Sequence, residues 1–155
     1  MLGFFRADED AFVKELMSSN INIDKLKKYI ANGVNINDVD EKGRNYLFFF
    51  AAKKNFNAIK VLISLGIDMY KEDKLGKTVL SEACEKYDFM MIKFLLDNGF
   101  DGNRKNSAGR TILQDCVLLG NDNVFQILLN YNLDFDIKVS DGRKVVFDAI
   151  ENGNL

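Results

Sequence analysis

The chain has 155 residues, 47% of them hydrophobic, and 21 Lys and Arg against 23 Asp and Glu leave a formal charge of -2. Such a balance gives no general attraction for nucleic acid, and no apolar run reaches the length a membrane span requires, so neither nucleic-acid binding nor membrane insertion is expected. His, Pro and Trp are absent, which excludes histidine-based catalysis and histidine metal ligation.

Residues 1–11 read as a short lead-in without the basic start and long apolar run of a secretory signal. Residues 12–17 place apolar side chains at helical spacing, and Ser18-Ser19-Asn20 breaks the pattern. Asp24 is positioned to cap a second helix whose inner face is Leu26, Tyr29 and Ile30, and Asn32-Gly33 stops it. The order then restarts. A helix is predicted around 47–53, a break at Lys54-Asn55, and a second helix through Ile59, Leu62 and Ile63 to Gly66. Residues 78–98 and 111–131 repeat this order, and 144–155 begin it once more.

Two glycine phases set the period. Gly43, Gly76, Gly109 and Gly142 recur every thirty-three residues, as do Gly33, Gly66 and Gly99, with Asn132 in the fourth place. The second series falls where a helix must end in a left-handed residue, which glycine accepts without a Cβ penalty and asparagine tolerates next best. The first series falls at the tip of a loop.

The motifs Asp73-x-x-Gly76-Lys77-Thr78-Val79-Leu80 and Leu95-Leu96-Asp97-Asn98-Gly99, with Gly109-Arg110-Thr111-Ile112-Leu113 one period on, resemble the ankyrin repeat, whose unit is about 33 residues. The resemblance covers roughly residues 12–155. It implies an all-α solenoid of stacked helix-turn-helix units with projecting hairpin loops. We expect a single domain over 1–155, with units at about 12–44, 45–77, 78–110 and 111–143 and a partial one at 144–155. The Thr-Pro-Leu-His tetrad of the family is replaced by Asn45-Tyr46-Leu47-Phe48, Thr78-Val79-Leu80-Ser81, Thr111-Ile112-Leu113-Gln114 and Lys144-Val145-Val146-Phe147. The hydrogen bonding of that histidine must therefore come from other residues or be lost.

The resemblance implies a non-catalytic module that binds another protein through a concave groove and loop tips, without cofactor or metal. A monomer is expected, and its place is expected to be the cytoplasm, a reducing compartment, since two cysteines, Cys84 and Cys116, are too few for a disulfide framework. Both sit at small-residue positions of first helices and are assigned to the core. The alternative is a regulatory or targeting arm of a longer enzyme or secreted effector, since the fifth unit would lack its second helix.

Candidate partner-binding residues follow from register. Arg44, Lys77, Arg110 and Arg143 place one cation at the base of each loop, and Glu82, Asp115 and Asp148 lie five residues beyond the last three. This predicts a ladder of Lys77–Glu82, Arg110–Asp115 and Arg143–Asp148 pairs. Apolar candidates are Phe49, within the run Tyr46-Leu47-Phe48-Phe49-Phe50, the pair Leu118-Leu119, and Leu75 beside Lys74 near a loop tip. Three consecutive Phe cannot all face outward on a helix.

Overall fold

The structure, a computed structural model, describes residues 7–118, 122–138 and 144. Among these it has eight helices: α1 (Ala7–Leu16), α2 (Ile23–Ala31), α3 (Tyr46–Ala52), α4 (Phe56–Ser64), α5 (Val79–Glu85), α6 (Phe89–Asp97), α7 (Ile112–Leu118) and α8 (Asp122–Leu128). They alternate with loops as helix, turn, helix, loop. The chain falls into two compact units, residues 1–74 and 75–155. In the first, α1 packs on α2 and α3 on α4; in the second, α5 packs on α6, α7 on α8, α5 on α7 and α6 on α8.

Helix starts obey the same period as the glycines. Asn22, Asn55 and Asp88 each cap the second helix of a pair, their side-chain Oδ1 accepting from the N–H of Lys25 at 3.0 Å, Ala58 at 3.1 Å and Met91 at 3.2 Å. This corrects the expectation for Asp24. The residue in register is Asn22, and Asp24 lies two residues on, in the first turn, where its charge favours the helix N-terminus. The helix α1 also starts earlier than expected, at Ala7, with Asp8, Glu9 and Asp10 in its first turn.

Core residues follow the helical stripes. Phe12, Leu16, Leu26, Phe50, Ile59 and Leu62 are fully buried in the first unit; Ile92, Leu95, Leu113, Cys116 and Phe125 are so in the second. Aromatic rings of this kind bury the most area per residue, and each buried aliphatic contributes about 1.5–3 kcal/mol.

After α4, Gly66 takes a positive φ of +84, Gly33 and Gly99 take +106 and +91 after α2 and α6, and the loop-tip glycine Gly43 takes φ +79. Asn132 does not share this conformation: among the described residues the non-glycine residues at positive φ are Lys54 and Tyr87. The helix α8 stops at Leu128 instead. There Asn130 uses its side-chain amide to donate to the carbonyls of Gln126 and Ile127 at 3.1 and 3.3 Å, so carbonyls at the helix end find a donor without a left-handed residue.

Asparagines lock successive loops. In the first unit Asn37 Oδ1 accepts from the Asp68 N–H at 2.7 Å, and Asn45 Nδ2 donates to the Asp68 carbonyl at 2.9 Å. The Lys74 N–H donates to the Lys42 carbonyl at 2.9 Å, and a Cβ on Gly43 would stand 3.2 Å from that same nitrogen. Sixty-six residues on from Asn37, Asn103 repeats the device, accepting from the Asp134 N–H at 2.7 Å and donating to the Asn132 carbonyl at 3.1 Å.

Candidate functional site

The aromatic run of α3 divides by helical geometry. Tyr46, Phe48 and Phe50 turn inward and are buried, while Phe49 is left half-exposed. Its ring meets the Phe50 ring edge-on at 5.0 Å, and Lys53 Nζ lies 5.0 Å from its centroid, within cation–π range. Phe49, Phe48, Tyr46, Ala52 and Val39 wall a hollow of about 130 Å³ between α3 and the preceding loop. Its polar rim is Asp38, Asp40, Arg44 and Asn45. Two of the expected site residues, Arg44 and Phe49, therefore meet at one place.

The loop beside the hollow is folded by Asp40. One of its carboxylate oxygens accepts from the backbone N–H groups of Lys42 and Arg44, both at 2.9 Å; the other accepts from Arg44 Nε at 3.0 Å and Nη2 at 2.7 Å. Burial pushes the Asp40 carboxyl up, but these charged and backbone donors outweigh it and hold it below the usual carboxylate range. Asn106 has the same role two periods on, accepting from the N–H groups of Ala108 at 3.1 Å and Arg110 at 2.9 Å. The Tyr46 ring, which lines the hollow, has its centroid 5.6 Å from that of Phe12. Burial, then the carboxylates of Glu9, Asp38 and Asp10, pushes its pKa far up.

The regular charge ladder is not what forms. Lys77 Nζ reaches Glu85 at 2.6 Å, and Glu82 is bonded to Lys86, one helical turn along α5. Helix geometry explains the exchange, since residues four apart stack on one face. The Arg110–Asp115 pair does form, at 2.5 Å, and Asp115 also accepts from Asn106 Nδ2 at 3.1 Å. Arg44 is bound to Asp40 as described. Leu75 is 78% exposed, with Lys74 exposed beside it and Gly76 following at φ +74. Arg143, Asp148 and Leu119 lie outside the described residues, and for Leu118 only its place at the end of α7 is described.

A family model described as ankyrin repeats (3 copies) matches residues 12–106 and again 51–141. The chain belongs to the ankyrin-repeat family. A search of curated proteins returned no match. The all-α reading of the sequence agrees with this membership. Where ankyrin repeats usually carry the histidine of the tetrad, this chain substitutes two local devices. Thr78 and Ser81 form a capping box, with Ser81 N–H donating to Thr78 Oγ1 at 3.2 Å and Thr78 N–H to Ser81 Oγ at 2.8 Å. Gln114 accepts from the Thr111 N–H at 2.9 Å and donates to the Lys138 carbonyl at 2.5 Å, twenty-four residues on. That second bond ties α7 to the loop that follows α8. The cysteines of this ankyrin chain are buried thiols, as expected for core residues. Burial, foremost, raises the Cys84 pKa far above its ordinary value, which holds the thiol protonated. Among the described residues no group of His, Cys, Asp or Glu is arranged to hold a metal.

Proposed function

We propose that this chain is a non-catalytic protein-interaction module that holds a partner protein on its first helices and loop tips, working as a monomer in the cytoplasm. Family membership supports the general part, because ankyrin repeats serve chiefly as protein-binding modules. The observation that carries the particular part is the hollow beside Phe49, where an aromatic side chain remains half-exposed among buried neighbours. A few residues, aromatic ones prominent among them, carry most of the binding energy of an interface once a partner buries them. Leu75 and Lys74, at an exposed loop tip, are assigned as a second contact. Lys77, Glu82, Arg110, Asp115 and Arg143 are assigned to orientation and encounter rate, since a partner must compete with internal ion pairs at several of them. Leu118 and Leu119 complete the assigned set.

The test is affinity capture of partner proteins on the wild-type chain and on a variant combining Phe49→Ala, Leu75→Ala, Lys77→Glu and Arg110→Glu. Partners are expected to be lost from the variant while its far-ultraviolet circular dichroism stays unchanged. Retention of every partner by a folded variant would contradict the assignment.

A further inference from the structure

The hollow beside Phe49 is too small for a drug-sized ligand, whose sites run from about 300 to 1,000 Å³. At about 130 Å³ it has room on the order of one apolar side chain. Its walls are Val39, Tyr46, Phe48, Phe49 and Ala52, and Val39 is 44% exposed at the mouth. Its rim is acidic by one charge, since it carries Asp38 and Asp40 against Arg44, which is bound to Asp40, while Lys53 lies over the ring of Phe49. Asp38 is exposed, and its Oδ1 accepts from the N–H of the adjacent Val39 at 3.1 Å.

We infer that the hollow receives an aliphatic or aromatic side chain of a partner polypeptide that carries Lys or Arg beside it, the apolar group seated against Phe49 and Ala52 and the cation meeting Asp38. This rests on the protein-interaction reading above and names the chemistry of the partner. The rim carboxylate of Asp38 disfavours a nucleic-acid backbone and selects a basic neighbour for the apolar anchor. Ala52 is exposed, so its small side chain is not demanded by the core; it leaves the mouth open.

A random peptide library selected on the full chain supplies the probes, which are dye-labelled and titrated by fluorescence anisotropy. The wild type is compared with Ala52→Phe, which fills the hollow from an exposed position, and Asp38→Lys, which reverses the rim charge. Selected peptides are expected to share an apolar residue next to Lys or Arg. Ala52→Phe should weaken them about tenfold, the loss of one buried apolar side chain. Asp38→Lys should weaken them by a similar factor, and replacing the peptide's cation with Gln should abolish that second effect. Ala52→Leu and Asp38→Asn are milder versions that serve if either variant melts early. Peptides without the apolar-basic pair, peptides that bind every variant as tightly as the wild type, or no peptide above background would each overturn the inference. They would leave the interaction-module reading intact as long as affinity capture still yields a partner that depends on Leu75 or Arg110. Sedimentation showing that the chain pairs with itself through the hollow, reversed by Ala52→Phe, would also overturn it, in favour of a second copy.

Discussion

Tyr87 stands at φ 56 with its ring 53% exposed, so it has the backbone strain of a left-handed residue without burying much in return. For a side chain with a Cβ that conformation costs about 1–2 kcal/mol, against about 0.5–1 kcal/mol of extra chain entropy when glycine replaces it. Tyr87→Gly is therefore expected to stabilise the protein by about 0.5–1 kcal/mol, read as a raised urea midpoint with an unchanged slope. A lowered midpoint would mean that the ring contributes more than its exposure indicates. Asp40 makes a second prediction at this scale. Its folded pKa is depressed, so its contribution to stability is present above the unfolded value near about 4 and is lost as pH falls through the lower folded value. Asp40→Asn retains the side-chain oxygen that accepts from Lys42 and Arg44, as Asn106 shows in its own loop, but cannot titrate. The wild type is expected to lose stability between pH 5 and pH 2 by more than this variant does, measured by urea melts across that range; equal losses would refute the role of the carboxylate.

Helix ends show which parts of the elements were legible in the sequence and which were not. The two glycine phases could be read because one residue type recurs in each. A third left-handed phase, Lys54 and Tyr87, was hidden because neither residue is a usual occupant, and the position one period on lies outside the described residues. The cap phase was hidden for a related reason: Asn22, Asn55 and Asp88 differ in type while sharing one task. Phe49 and Arg44 could be picked from the sequence as surface candidates, yet the hollow that joins them depends on how a loop folds around Asp40, and spacing along the chain does not encode that. Asp88→Ala should remove a cap from α6 and cost about 1 kcal/mol, seen in urea melts and as faster amide exchange at Met91. Gln114→Ala removes two bonds at once, leaving the Thr111 N–H and the Lys138 carbonyl without their partner. A cost of about 1–3 kcal/mol is expected, with faster exchange at Thr111; Gln114→Glu, which can still accept from Thr111, should recover part of it.

Across the molecule, stability comes from neighbouring helix pairs, with no metal or disulfide expected to reinforce them, and each unit opens when its own packing fails. The cysteines provide a probe of this for residues 75–155. Cys84 on α5 and Cys116 on α7 are both buried thiols, on two helices that pack together. A thiol reagent attacks the thiolate, which burial suppresses at Cys84, so labelling in native conditions must pass through an opening that separates these helices. Leu95, fully buried on α6, lies in the same unit and carries no thiol. Leu95→Ala is expected to cost about 2–5 kcal/mol. If one opening exposes both cysteines, the variant should speed labelling of Cys84 and Cys116 by the same factor. That is measured by mass spectrometry after timed reaction with Ellman's reagent, using Cys84→Ser and Cys116→Ser chains to separate the sites. Unequal factors would show that α5 and α7 open independently. Rapid labelling of either cysteine in the wild type would contradict its place in the core.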